Sequence, residues 1–203
     1  MRATAVPVVA AALLTLALPP APAAGSGGAA SAGVFVPWKV VARGEAPPPG
    51  ALVLYWLPLS RDDFRRSELL TYRALTAYSQ CVAMSVVQAD DAATIERLEA
   101  TGKLPVAVLV DEQGHVVGRV GNERGALRAA DVDKLLRDTI RARQEGLDRD
   151  LDDAPRKLAL GDRDAAIALY RRVWEQRCLF PRHAREAARA LKKLGVPAVA
   201  AAR

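Results

Sequence analysis

Residues 51–57 read Ala-Leu-Val-Leu-Tyr-Trp-Leu, and Pro58-Leu59-Ser60-Arg61-Asp62-Asp63 follows at once. Seven apolar residues between Pro49-Gly50 and Pro58 are too few for a buried helix. They are rich in strand formers, so the run predicts a central strand covered on both faces. Ser60 then has the pattern of a helix N-cap, with Asp63 three positions on as the acid of a capping box. A helix is expected from Ser60 to about Ser79, with Phe64, Leu69, Tyr72, Leu75 and Tyr78 among its apolar positions.

Outward from this unit, strands and helices alternate. Cys81–Val87 predicts a second buried strand. Asp90-Asp91 caps a short helix over Ala92–Ala100, stopped by Thr101-Gly102. Leu104–Val110 predicts a third strand. Asp111-Glu112-Gln113-Gly114 is a turn with glycine where a positive φ is wanted, and His115–Val120 returns as its hairpin partner. A helix spans Ala129–Arg143, with Val132, Leu135, Leu136 and Ile140 at helical spacing. Upstream, Val34–Val41 is an edge strand, because Pro37 has no amide to donate to a ladder. Helices between strands predict crossovers and parallel pairing, and the closing hairpin is antiparallel. The fold class is α/β: a mixed sheet with helices on both faces, followed by a small all-α unit.

The order and spacing of these elements over residues 34–145 resemble a thioredoxin-like domain. Trp56 ends an apolar strand just before a capped helix. Leu104-Pro105 opens the third strand about fifty positions later, matching the family's cis-proline, and Val120-Gly121 closes the hairpin where the family carries a glycine. The resemblance implies a groove beside Trp56, Ser60, Arg61, Leu104 and Pro105 in which extended peptide is held. It departs from the family at the reactive turn. Dithiol chemistry needs Cys-x-x-Cys at the helix N-terminus, where the dipole stabilises a thiolate. Those positions here are Ser60-Arg61-Asp62-Asp63, and Leu54 stands where the family buries an acid. Two carboxylates also discourage an anionic nucleophile beside them.

Other chemistry has little material. A Ser60–His pair would draw on His115 or His183, the only histidines, and His115 is expected in the exposed hairpin. Asp148, Asp150, Asp152 and Asp153 resemble the start of a calcium loop. Asp153 and Ala159 stand where its glycine and glutamate belong, so a helix-start cluster is the reading, and no metal or other cofactor is expected. Cys81 and Cys178 are candidates for a disulfide or a reactive thiol. Two separate buried thiols are the expectation. The alternative bond would close a loop of 97 positions and contribute roughly 4–5 kcal/mol through chain entropy.

The chain begins with Met1-Arg2, an apolar run over Ala3–Leu18 and an Ala21-Pro22-Ala23 site. This pattern predicts a cleaved signal peptide over 1–23, and hence an exported, periplasmic or secreted protein with no stable transmembrane segment. Residues 24–33 have linker composition. From Leu147 the pattern is helical: Asp153–Leu160 with Pro155 in its first turn, Asp164–Cys178, and Arg182–Leu194. Leu160–Tyr170 resembles one tetratricopeptide (TPR) hairpin, with Gly161 at the turn and Ala166 and Tyr170 at packing positions. Residues 147–197 are therefore expected to form a TPR-like unit, with Tyr170 and Trp174 in its core. Residues 154–203 carry 12 basic and 4 acidic side chains, net +8, against 16 basic and 19 acidic over 24–153. Such a tail suits an anionic membrane surface or an acidic protein, or is a solvated face that also attracts the acidic domain beside it. No nucleic-acid recognition motif is present, so a protein or peptide partner is expected. The functional expectation is a redox-inactive binding or assembly module. The alternative is a thiol–disulfide oxidoreductase or peroxidase-like enzyme using Cys81 with Cys178.

Overall fold

A computed structural model describes residues 35–45, 50–121 and 126–198. The expected signal peptide, the linker and Val34 lie outside the described residues. The described chain contains five strands: β1 (Lys39–Val40), β2 (Leu52–Leu57), β3 (Val82–Val86), β4 (Val106–Val110) and β5 (Val116–Val120). They form one sheet in the order β1-β3-β2-β4-β5. β3 runs parallel to both β1 and β2, whereas β4 is antiparallel to β2 and to β5. The result is a mixed five-stranded sheet flanked by helices and followed by helical segments.

β2 is buried along its whole length, as a central strand covered on both faces must be. Alternation sends Leu52, Leu54 and Trp56 to one face, where they pack with Leu69, Leu75, Val132 and Leu136. Val53, Tyr55 and Leu57 point to the other, against Ile95, Leu98 and Ala100. The β3-to-β4 connection departs from the parallel expectation. Its helix, α3 (Ala92–Arg97), lies on the second face, and β4 docks beside β2 in antiparallel register with Val106 opposite Leu57. The Leu104–Pro105 peptide is cis.

Three other expectations are corrected. The edge strand is only two residues long and begins after Pro37. The helix expected over Ser60–Ser79 is broken into α1 (Arg61–Arg66), a 3-10 turn (Glu68–Leu70) and α2 (Arg73–Tyr78). Ser67 interrupts it, because its hydroxyl accepts from Leu69 N at 3.2 Å and starts a new cap. The carbonyls of Leu69 and Leu70 are meanwhile taken by Trp38 Nε1 and Val36 N, both at 2.9 Å, instead of by a helical ladder.

The third correction concerns the tail. The helix expected to stop at Arg143 is α4 (Ala129–Ala159), 31 residues without a break, and Pro155 lies inside it. A helix therefore runs through the boundary expected at 145–147. α5 (Arg163–Glu175) and α6 (Pro181–Lys193) fold back on its C-terminal half. Their core contains Leu147, Ala154, Ala166, Tyr170, Val173, Ala187 and Leu191. Ala166 and Tyr170 are buried there as expected, whereas Trp174 is only half-buried, with Arg177 5.6 Å above its ring. Gly161 makes the α4–α5 turn at φ +80°, where a side chain would be strained. The acidic cluster is not at a helix start either. It lies within α4, and Asp148, Asp150 and Asp153 pair with His183, Arg172 and Arg156. Among the described residues no helix is long and apolar enough to cross a membrane.

Candidate functional site

Parallel strands leave a crevice beyond their C-terminal ends, where the following loops diverge. β1, β3 and β2 end together, and a cleft of about 510 Å³ opens there. Its apolar lining is Val40 from β1, Pro58 after β2, Phe64 of α1, and Val86 and Val87 at the end of β3. Ser60, Arg61, Gln88 and Asp90 add polar groups. Val40 is 53 % exposed and Leu59, beside the cleft, 58 %, so apolar surface faces solvent around the opening.

Ser60 stands at the start of α1 as predicted, but its oxygen is already engaged. Oγ accepts from Asp63 N at 3.1 Å, and Asp63 Oδ2 reaches back to accept from Leu59 N at 2.9 Å. The capping box is thus closed one residue earlier than the usual form, in which the acid bonds the N-cap amide. No base is at hand. His115 follows β4, whose far end pairs with the start of β2: Val110 lies opposite Val53. A six-residue strand, about 20 Å, separates that hairpin from Ser60. His183 lies in α6 and contacts Asp148 at 2.8 Å.

Of the five groove residues named from the resemblance, Ser60 and Arg61 line the cleft. Leu104 and Pro105 lie at the same end of the sheet, just before Val106 opposite Leu57, but outside the cleft lining. Trp56 is 1 % exposed and offers no surface. It stacks under Phe64 at 5.0 Å and meets Trp38 edge-on at 5.3 Å, so it supports the cleft floor from the core. Its buried Nε1 has no hydrogen-bond partner among the described residues. Sequence reasoning missed Val40, Phe64 and the Val86–Asp90 stretch as lining residues. The signal was available, since all but Phe64 lie in or just after parallel strands, at the ends where α/β sheets hold ligands.

The opposite end of the sheet is tied shut. Cys81 and Cys178 are not separate thiols: they form a disulfide, with the Cα atoms 5.5 Å apart. The expectation of two buried thiols fails because Cys178 follows α5 on the surface, where the helical hairpin meets the start of β3. Cys81 immediately precedes Val82, which pairs with Leu52. Both sulfurs are therefore a strand's length from Ser60. At the same end of the sheet, Arg143 Nη1 of α4 donates to Glu112 Oε1 of the β4–β5 turn at 2.5 Å. Burial raises the Glu112 carboxyl, but the Arg143 guanidinium and the amide of Gln176 outweigh it and hold the group below its usual value. Compared with protein-family models and with curated proteins, the chain matches none.

Proposed function

We propose that this is an exported, thioredoxin-like protein that has given up thiol chemistry and binds extended peptide at the β1 end of its sheet. The observation that carries this reading is the cleft at the C-terminal ends of β1, β3 and β2. It has an apolar floor and a strand edge unpaired among the described residues, and its turn has serine in place of sulfur. The strand order and the cis Leu104–Pro105 peptide agree with the thioredoxin-like resemblance.

The edge supplies the means of recognition. Val41 N bonds Val86 O at 2.9 Å, so by alternation the amide and carbonyl of Val40 face away from β3. A peptide strand laid along β1 would pair with those groups and place an apolar side chain in the cleft, the mode called β-augmentation. Arg61 at the rim favours an acidic residue in that peptide. Pro37 limits the free ladder to the residues after it, so a short segment is the fitting partner.

The test is peptide-array binding by the full chain. Apolar-plus-acidic peptides are expected to bind, and Val40→Lys, an exposed edge change, is expected to abolish binding without unfolding the protein. Reduction of insulin disulfides by the wild type, lost in Cys81→Ser, would overturn the reading in favour of a thiol enzyme.

A further inference from the structure

The charges of the helical unit are distributed unevenly. On α4, four of the seven basic side chains are paired: Lys134 with Asp138, Arg137 with Asp133, Arg143 with Glu112 and Arg156 with Asp153. α6 has no such balance. Arg182, Arg185, Arg189, Lys192 and Lys193 are all exposed, and none meets a carboxylate among the described residues. Their spacings of three and four place them on one face, over about 17 Å of helix. Only Glu186 interrupts them. The opposite face, Ala184, Ala187 and Leu191, is buried against α5, so the basic stripe is the outward surface of the unit. Like charges at these spacings oppose helix formation. The fold keeps them adjacent and unpaired, which an anionic partner would relieve.

A second feature lies at one end of this stripe. The Arg163 guanidinium donates to the Leu194 carbonyl, which brings the start of α5 to the end of α6. The α4–α5 turn is therefore beside Lys192 and Lys193, and it carries Leu160, 80 % exposed. Lys157 and Arg163 flank this leucine in sequence. An aliphatic tip among cations suits a surface with charge outside and hydrocarbon beneath.

We infer that the basic face of α6, with Leu160 at its end, seats on an anionic phospholipid surface. The stripe contains no Asn, Gln, Ser, Thr or aromatic side chain with which to read a base or stack on one. A plane of phosphates needs no such groups, only cations in a row. The export segment expected at Met1–Ala23 would also bring the chain to a membrane. This inference stands apart from the peptide cleft, which lies at the C-terminal ends of the parallel strands.

The test is co-sedimentation of the full chain with phosphatidylcholine vesicles, with and without phosphatidylglycerol. The wild type is expected to prefer the anionic vesicles and to release from them as salt rises. Any binding through the apolar N-terminal run would be common to both vesicle types and insensitive to salt. Arg185→Gln/Arg189→Gln/Lys192→Gln is expected to weaken the anionic-specific binding about a hundredfold. Leu160→Ser should weaken it several-fold, which a purely ionic contact would not do. The triple variant removes like-charge repulsion together with the favourable Lys192 charge in the last turn of α6, so its melting temperature should change little. Should it not fold, the single Leu160→Ser variant and the salt series carry the test alone. Equal binding to both vesicle types, an unchanged triple variant, or tighter wild-type binding to duplex DNA or polyglutamate than to anionic vesicles overturns the inference.

Discussion

The two ends of the sheet receive opposite treatment. Where β1, β3 and β2 finish, the described residues leave an open cleft, an unpaired strand edge and unburied apolar side chains. Where β2 and β3 begin, a disulfide, a largely buried ion pair and the packing of Leu179 against both cores bind the sheet to the helices. The contrast separates the end that holds the molecule together from the end left open, where the proposed peptide would bind. Both of the chain's sulfurs are at this second end, where their bond ties the start of β3 to the segment after α5.

Breaking the tied end should cost most. Cys81→Ser opens a loop of 97 residues, and the expected loss is about 4–5 kcal/mol in denaturant unfolding. The cleft should still bind its peptide wherever the variant remains folded. Glu112→Gln comes next. It leaves the Arg143 guanidinium, whose side chain is 18 % exposed, without its anion, and a loss of about 1–3 kcal/mol is expected.

Acid should act on the same contact. Because the folded Glu112 carboxyl titrates below its ordinary value of about 4.3, its contribution is complete above that pH and drains away as pH falls through the folded value. Asp111 adds to this. Burial raises its carboxyl, but the amides of His115 and Gln113 outweigh the burial and hold it low. Unfolding midpoints measured from neutral pH downward should stay level and then fall, and Glu112→Gln should flatten that fall.

The open end should tolerate more. Ser60→Ala removes the cap of α1 and should cost about 1 kcal/mol, with no loss of any hydrolytic or redox turnover. Arg61→Gln, on an exposed side chain with no ion pair among the described residues, should move stability by less than about 0.5 kcal/mol. It should nevertheless weaken binding of acidic peptides. If Arg61→Gln were as damaging to the fold as Glu112→Gln, the two ends would not differ as described.

Much of this contrast was legible in the residues, and the remainder has physical causes. The run from Ala51 to Leu57, the Ser60 cap and the Gly114 turn announce themselves through local pattern and local hydrogen bonds. Long-range competition does not. Nothing near Ser67 reveals that Val36 and Trp38 will claim the carbonyls of Leu69 and Leu70 and break the helix. Pro155 suggests a helix start, yet a packed core with Ala154 fully buried keeps it inside α4 despite the lost hydrogen bond. The disulfide was an open alternative, because two cysteines so far apart in sequence meet only once the hairpin of α4 and α5 has turned back. At the cleft, Ser60 and Arg61 follow from the helix start, whereas Val40 and Val87 depend on which strands lie side by side.

Since α4 begins under the sheet at Ala129 and ends at Ala159 among the tail helices, some 46 Å of unbroken rod belongs to both halves. There is no seam at which to cut. A truncation at 147 would leave a helix stump with its packing stripped and a cysteine without its mate. Heating should accordingly melt sheet and tail in one cooperative event, not in sequence.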